Sequence, residues 1–400
     1  MLIPVKVGLL GRDGQALPLQ PEGNIRVTDG AALLIMDSPR QTFVFHNVDQ
    51  DPVPSLLRDF SAPVKLEYPY SDDELAVLMA HDTNEFVRWE AAQMLAQNVI
   101  LENVKRRAKG DAMQVEVVLA DAFRSLVQDD SVDPALIAQA ITLPDEAYLA
   151  EAMEVVDVDG IHEARSFVRA QLAAGAEGIL RNRYRELGAA GPYANSASEI
   201  ARRSLRNALL SYLVNTEQGF SLAEAQLAGS DNMTDTLAAL KSLAWYGAPS
   251  AGAAMADFER RWRDDPLVLD KWFAIQAAAP GPATVGRVKA LMDHPAFSMR
   301  NPNKVRALLG TLAAANPTAF HARDGSGYRL LADQVLTLDE LNPQVAARLA
   351  GAFNRWTRYD EKRRRLMREE IARIDGGASL SPNVAEIVGN ALQMSDPEDC

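Results

Sequence analysis

The chain has 400 residues, 48% of them hydrophobic and 24% charged, which is enough apolar material for a large core and more than one domain. A net charge of −13 argues against nucleic acid or an anionic membrane as the main partner. The one cysteine, Cys400, allows no disulfide framework and no cysteine-based metal site, which fits a reducing compartment and equally a cysteine-poor periplasmic protein. With no signal-peptide pattern at the start and no run of about 18 apolar residues, we expect a cytoplasmic protein without a membrane span.

Residues 1–70 are predicted to form strands. Ile3, Val5, Val7 and Leu9 alternate with other residues in the two-residue period of a strand. Further strands are predicted in the segments QTFVFHNV (41–48) and PVKLEY (63–68), with turns at Asp13-Gly14 and Asp29-Gly30 and breaks at Pro52, Pro54 and Pro63.

Five or six such short strands indicate a β-sandwich. A complete sandwich of the immunoglobulin type usually takes about 100 residues, so this one, residues 1–70, is expected to be incomplete. We therefore expect the chain to begin inside a domain.

From Ser71 the pattern becomes helical, and residues 71–400 are predicted to form one α-helical domain. Ser71 and Glu74 have the spacing of a capping box, which marks a helix start. Residues 82–95, DTNEFVRWEAAQML, have the apolar spacing of HEAT-like helical repeats.

A repeat is visible near the C-terminal end. The segments NPNKVRALLGTL from 301 and NPQVAARLAGAF from 342 share Asn, Pro, Leu, Gly and a bulky apolar residue at an offset of 41. Helix-pair repeats have periods of about 40–47 residues. The fold class is therefore predicted to be mostly α, a HEAT/armadillo-like superhelix preceded by the small β-sandwich.

Several helices are predicted to begin with the same device, an Asn or Asp at the N-cap followed by Pro at the first helical position. The side-chain oxygen can accept a hydrogen bond from an unpaired backbone N–H, and proline needs no donor there. The predicted starts are Asn301-Pro302, Asn316-Pro317, Asn342-Pro343 and Asp133-Pro134.

The five histidines offer no zinc-peptidase motif. Such a motif needs two histidines one helical turn apart with a glutamate between them. His162 and Glu163 begin that pattern, but the fifth position is Ser166, so we predict no metal site in this chain and a polar helix position for His162.

Three other segments are assigned structural roles. Residues 321–328, HARDGSGY, are predicted to be a helix end with glycines and a new helix from Tyr328 rather than a binding loop. Residues 358–370 are predicted to be a solvated, ion-paired helix face. The bulky side chains of Trp262, Trp272, Phe273 and Trp356 are predicted to be core.

Basic residues crowd the helix start at 297–310, where Arg300, Lys304 and Arg306 occur together. Arg306 is predicted to border the core stripe of Val305, Leu308, Leu309 and Leu312, and Arg348 to border the corresponding stripe of the second copy, each early in its helix. Helix starts attract anions, and arginine strengthens that attraction. Two alternatives follow from the residues alone: an anion site, or pairing of both arginines with acidic residues.

Seven segments, taken in order, resemble the C-terminal part of bacterial aminopeptidase N, the alanyl aminopeptidase branch of the HExxH zinc aminopeptidases. They are FSAPVKLEY (60–68), DNMTDTLAAL (231–240), LDKWFAIQA (269–277), FSMRNPNKVRALLG (297–310), NPTAFHARDGSGYRLLAD (316–333), NPQVAARL (342–349) and RYDEKRR (358–364).

The resemblance implies the later part of a β-sandwich plus the whole helical superhelix. The family's zinc ligands and catalytic glutamate have no counterpart here, so the chain is expected to be a fragment that is inactive alone. Its parent enzyme would hold zinc and remove N-terminal amino acids from peptides. The implied partners are the catalytic zinc domain and the peptide substrate, with no nucleic acid and no membrane.

In this family the helical domain walls off an internal chamber that peptides enter. Matched motif to motif, Arg306 and Arg348 are implied to bind the C-terminal side of the peptide, whose carboxylate suits arginine. The alternative is a stand-alone helical-repeat scaffold for protein interactions, which the repeat pattern alone also allows.

Overall fold

The computed structural model describes residues 2–188, 191–377 and 379–394, so Cys400 lies outside the described residues. Packing divides the chain into two compact units. One comprises Met1–Pro144 and Ala164–Thr216, and the other comprises Asp145–Glu163 and Glu217–Cys400. The domain boundary expected between residues 70 and 71 stays a prediction.

The first unit contains an antiparallel sheet with the strand order β2-β3-β1-β4. Its strands are β1 (Ile3–Leu10), β2 (Arg26–Thr28), β3 (Ala31–Met36) and β4 (Val53–Leu56). β1 pairs with both β3 and β4. The turn predicted at Asp29-Gly30 joins β2 to β3, and both residues have positive φ, 51° and 70°, as a two-residue type I′ hairpin turn requires.

Two of the predicted strands are wrong. Residues 63–68 form no strand, and residues 41–48 contribute a single bridge between Phe45 and Pro21. The alternation at Phe43 and Phe45 instead brings both rings against the small core of the sheet, at Val7, Ala32 and Leu34. An alternating pattern predicts a buried face, but a strand also needs a neighbour along its whole length.

Pro54 was expected to interrupt the strands, yet it lies inside β4, opposite Leu9. β4 is at the edge of the sheet and pairs only with β1. A proline is tolerated there because the outer side of an edge strand needs no N–H donor.

Helices make up most of the remaining chain. Their bounds are α1 (Asp72–His81), α2 (Glu85–Lys109), α3 (Val117–Gln128), α4 (Pro134–Ile141), α5 (Glu146–Glu151), α6 (Val158–Gly175), α7 (Glu177–Glu186), α8 (Ala197–Leu213), α9 (Gly219–Gly229), α10 (Met233–Trp245), α11 (Ala251–Trp262), α12 (Pro266–Ala278), α13 (Thr284–Met292), α14 (Pro302–Val305), α15 (Thr311–Ala315), α16 (Pro317–Phe320), α17 (Ser326–Leu341), α18 (Pro343–Ala350), α19 (Glu361–Asp375) and α20 (Pro382–Leu392). Neighbours along the chain pack together, as in α1 with α2, α9 with α10, and α17 with α18.

The predicted helix starts are confirmed. Ser71 and Glu74 form a complete capping box at α1. Each predicted Asn-Pro or Asp-Pro cap accepts a hydrogen bond from a backbone N–H in its own first turn, at Asp133, Asn301, Asn316 and Asn342. These starts depend on residues within one helical turn, which is why local sequence predicted them.

The core of the second unit contains the predicted apolar stripe. Val305, Leu308, Leu309 and Leu312 are all fully buried. Trp272, Phe273 and Trp356 are buried in the same core, and Trp262 is partly buried against it. The core prediction for these residues is confirmed.

The charged segment 358–370 is the predicted solvated face only in part. Arg365 and Glu369 are exposed and form an ion pair one helical turn apart, at 4.0 Å, but two other arginines are not solvated. Arg363 and Arg364 are buried. The Arg363 guanidinium lies 3.1 Å from Asp159 and 2.7 Å from Asp360, and its Nε donates to the carbonyl of His321. Asp159 lies more than 200 residues before Arg363 in the chain. The local charge pattern therefore cannot show that its carboxylate pairs with the buried guanidinium of Arg363.

Candidate functional site

Arg306 and Arg348 line the same pocket in the second unit. The pocket has a volume of about 600 Å³ and lies among the π-helical turn Arg306–Gly310, α15 and α18. Its walls are formed by Pro302, Val305, Arg306, Gly310, Thr311, Ala313, Ala314, Ala315, Gln344, Val345, Arg348, Leu349 and Ala352. Two arginines that lie 42 positions apart in the sequence thus contribute to one cavity.

Arg306 lies where the helix widens. Residues Arg306–Gly310 form a π-helical turn, in which the N–H of Thr311 donates to the carbonyl of Arg306, five residues earlier. Single π-helical turns inside α-helices occur often at functional sites. The sequence predicted an ordinary helix here, because the apolar residues are buried in either geometry. The π-helical turn is therefore a feature that sequence reasoning missed.

The Arg306 side chain is held loosely by its own neighbourhood. Its guanidinium donates to Asn303 Oδ1 at 3.4 Å, and its stem passes close to Gly310. A methyl group added to Gly310 would lie 3.5 Å from Arg306 Cγ, so glycine leaves this side of the pocket open.

Arg348 lies in the last turn of α18, not early in its helix as predicted. The helix is only eight residues long, so a position five residues after Pro343 is already near its end. The helix-start argument for anion binding therefore fails for Arg348. Its place in the pocket, beside Arg306, replaces that argument.

Neither arginine is committed to an ion pair. Both are exposed, and across residues 2–188, 191–377 and 379–394 no carboxylate lies within ion-pair distance of either guanidinium. The alternative that both arginines pair with acidic residues of the chain is not what the described residues show. A guanidinium without a carboxylate partner in the protein is free to bind an anion from outside.

Lys304 has a structural role, unlike Arg306, which lines the pocket. Its side chain is buried, its Nζ lies 2.8 Å from Asp270 Oδ1, and it donates to the carbonyl of Pro266 at 2.6 Å. The basic cluster in the sequence is thus divided between a structural cation and one that faces a pocket.

His162 has a structural partner. His162 Nδ1 lies 2.7 Å from Glu146 Oε1 on a half-buried surface, which fits the predicted polar helix position. Among the described residues, no group of three or more His, Cys, Asp or Glu side chains is arranged to hold a metal ion, so these residues do not fit a zinc site.

His321 belongs to the core and not to a binding loop. It is buried, its Nδ1 lies 2.8 Å from the Tyr328 hydroxyl, and its ring stacks on Tyr359 at 4.1 Å. Burial, together with the positive charge of Arg363, lowers the pKa of His321 to about 3, so the ring is neutral. The following helix begins at Ser326, two residues before the predicted start.

No helix within the described residues is both long and apolar enough to cross a membrane.

Two family models together match nearly the whole chain. Residues 72–393 match the domain of unknown function DUF3458_C, described as ARM repeats, and residues 1–69 match DUF3458, described as an Ig-like fold. These descriptions confirm the predicted fold class of a helical-repeat array preceded by a small β domain.

Curated relatives that match this chain include proteins named aminopeptidase N. The chain is 39% identical to aminopeptidase N of Escherichia coli over 392 residues, and 38% identical to aminopeptidase N of Haemophilus influenzae over 391 residues. Each match covers 98% of this chain and 44% of the relative. The chain therefore spans less than half the length of these relatives.

Among solved structures, the chain is similar to the crystal structure of Legionella pneumophila aminopeptidase A in complex with aspartic acid. The TM-score is 0.84 with 32% sequence identity, and the match covers 98% of this chain and 45% of that one. The resemblance to the C-terminal part of bacterial aminopeptidase N is confirmed by these matches. The chain belongs to the DUF3458_C family of ARM-repeat domains, preceded by the family's Ig-like domain, and is related to the C-terminal part of aminopeptidase N.

Proposed function

We propose that this chain is the non-catalytic region of a zinc aminopeptidase that removes N-terminal amino acids from peptides. In this proposal the helical array walls the substrate chamber and supports the catalytic zinc domain. Similarity to proteins named aminopeptidase N along 98% of the chain supports the proposal. The chain's closest approach to the zinc motif, His162 to Ser166, lacks the second histidine, so zinc and the catalytic chemistry belong to another domain.

Within this chamber wall, Arg306 and Arg348 are proposed to bind the C-terminal carboxylate of the peptide. The observation that carries this assignment is their convergence on one pocket of about 600 Å³, with no carboxylate of the described chain paired to either. Arginine presents a planar set of donors that matches a carboxylate, and such charge-assisted hydrogen bonds are among the stronger ones in proteins.

The supporting role is tested with the purified chain, alone and mixed with a separately produced catalytic zinc domain. We expect the chain alone to bind no stoichiometric zinc and to cleave no aminoacyl-anilide substrate. The mixture should restore the activity of the zinc domain or change its substrate range. A chain that leaves the zinc domain unchanged and retains a different protein partner would favour the helical-repeat scaffold instead.

The arginine assignment is tested in a complete enzyme that contains this chain. Arg306→Ala and Arg348→Ala should raise KM for short peptides with a free C-terminal carboxylate more than for the same peptides as amides. A charge-assisted contact shielded from water contributes about 1.5–3 kcal/mol, which corresponds to a KM increase of roughly tenfold or more.

Arg300→Ala is the matched control. Arg300 lies six residues before Arg306 on the same segment and is exposed, but it does not line the pocket. It should leave KM unchanged for both substrate forms. If the pocket variants affect acids and amides equally, the arginines do not bind the carboxylate.

A further inference from the structure

The pocket that holds the two arginines has an apolar wall. Besides the two arginines, the lining contains small and branched apolar residues, among them Val305, Ala313, Val345, Leu349 and Ala352. Among the described residues, none of those that line the pocket is acidic. A cavity of about 600 Å³ with a mostly apolar lining and a few polar groups is typical of a small-molecule site.

We propose that this pocket selects peptides whose C-terminal residue is apolar. The proposal rests on the proposed function, because it assumes that the peptide carboxylate is held by Arg306 and Arg348. It adds a specificity: the side chain of the last residue lies against the wall formed by Val345, Leu349 and Ala352.

The residues that line the pocket favour an apolar C-terminal side chain over a basic or an acidic one. A basic side chain would be brought close to two guanidinium groups and repelled. An acidic side chain would have to lose water against an apolar wall, which is costly unless it displaces the carboxylate from an arginine. A C-terminal residue with an apolar side chain suits the pocket in both respects. Its carboxylate pairs with the arginines, and its side chain is buried against the apolar wall.

Two local features keep the wall accessible. Gly310 carries no side chain where it lines the pocket, beside the stem of Arg306. The alanines Ala313, Ala314 and Ala315 follow the π-helical turn and present only methyl groups to the cavity. A bulky C-terminal side chain therefore meets few protruding groups.

The inference is tested by binding to the full chain, without any activity readout. The probes are N-acetyl-leucine, N-acetylglycine, N-acetyl-glutamate and N-acetyl-leucinamide, titrated and followed by ligand-observed NMR. N-acetyl-leucine should bind tightest, with a Kd roughly tenfold lower than that of N-acetylglycine, because partial burial of its side chain adds apolar contact. The amide should bind at least tenfold more weakly than the acid.

The outcomes distinguish this inference from the function on which it rests. If leucine, glycine and glutamate derivatives bind equally and all need their α-carboxylate, the apolar subsite is overturned while carboxylate binding stands. Tightest binding of N-acetyl-glutamate also overturns the subsite alone. If the acid and the amide of leucine bind equally, both proposals fail.

Variants of the wall give a second test. Ala352→Leu fills part of the pocket and Val345→Thr replaces a methyl group by a hydroxyl at similar volume; both positions are partly exposed, so the fold should tolerate the changes. In either variant the ratio of the glycine and leucine Kd values should fall toward one. The control Ala253→Leu, in a separate pocket of the same unit, should keep the ratio near ten. A ratio that stays near ten in both wall variants would overturn the assignment.

Discussion

The buried ammonium group of Lys304 lies 2.8 Å from the carboxylate of Asp270, and the same side chain stands 5.6 Å from the centre of the Phe273 ring. Lys304 lies in α14, two residues before Arg306, which starts the π-helical turn. The ion pair fixes α14 against α12, and so supports the position from which Arg306 reaches the pocket.

Removing Lys304 should therefore destabilise the second unit. Lys304→Met leaves Asp270 as a largely buried carboxylate without its partner, and breaking such a pair costs about 3 kcal/mol. We expect a clear fall in the unfolding temperature. The double variant Lys304→Met with Asp270→Asn should recover part of the loss, and Arg300→Ala should leave the unfolding temperature nearly unchanged. An equal loss in the single and the double variant would show that the ion pair is not the cause.

The Asn-Pro helix starts should differ in their contribution to stability, although their sequences match. Asn316 is buried, accepts from the N–H of Ala319 and donates to the carbonyls of Ala277 and Ala279 at 2.9 and 2.8 Å. Asn301 is exposed. Within the described residues, the only hydrogen bond of its side chain is the cap bond, which its Oδ1 accepts from the N–H of Asn303.

Asn301→Ala should thus cost about 1 kcal/mol, the usual value of an N-cap. Asn316→Ala should cost about 2–3 kcal/mol, because it also removes the side-chain donor to the buried carbonyl of Ala277 and one of the two side-chain donors to the carbonyl of Ala279, which keeps its bond from the Thr284 hydroxyl. Chemical unfolding of both variants measures the difference. Equal losses would mean that the buried amide contacts contribute nothing beyond the cap.

Gly327 is required by a close approach between backbone segments. A Cβ at this position would lie 2.3 Å from the carbonyl oxygen of Phe320 and 2.6 Å from that of Ala319. Gly327→Ala should therefore lower the unfolding temperature strongly, since neither oxygen belongs to a flexible side chain.

Gly286, in α13, provides the matched control. It is exposed, and a Cβ there would meet no atom within 4 Å. Gly286→Ala should stabilise the protein by about 0.5–1 kcal/mol, because alanine restricts the unfolded chain and favours the helix. A similar effect of the two substitutions would contradict the close approach at Gly327.

His321 should make stability depend on pH well above the range of the carboxylates. Burial lowers its pKa to about 3 in the folded protein, from 6.5 in the unfolded chain. Below about pH 6.5 the unfolded chain binds a proton that the folded chain does not, so stability is lost as the pH falls from 6.5 toward 3. The groups facing the ring are the hydroxyl of Tyr328, the ring of Tyr359 and the charges of Arg363 and Asp360.

His321→Gln should lower the unfolding temperature at pH 7 but flatten its decline between pH 6.5 and 4.5. Carboxylates such as Asp159 do not interfere in that range. Burial opposes ionisation of Asp159, but hydrogen bonds from Arg323 and Arg363 outweigh it and keep its pKa below the ordinary value. Its contribution is therefore lost only below about pH 4. As a control, His46→Gln on the exposed surface should keep the original slope; an unchanged slope in His321→Gln would contradict the burial argument.

Features that depend on neighbours within a turn or two could be predicted from the amino-acid sequence. The helix starts at Ser71, Asn301, Asn316 and Asn342 and the hairpin turn at Asp29-Gly30 follow from side-chain and backbone geometry that is complete within four residues. The buried stripe through Val305 and Leu312 follows from helical periodicity.

The places where those elements meet depend on contacts between distant parts of the chain. Arg306 and Arg348 share a pocket because the π-helical turn and α18 both line it. The buried Arg363 has Asp159 as a partner across some 200 residues, a separation that no local pattern encodes. Residues 63–68 are no strand because no neighbouring strand pairs with them. Whether a charged side chain is solvated or buried depends on a partner that is distant in the sequence. The same holds for whether an alternating segment joins a sheet. The residues of the site are therefore brought together by long-range packing and not by local propensity.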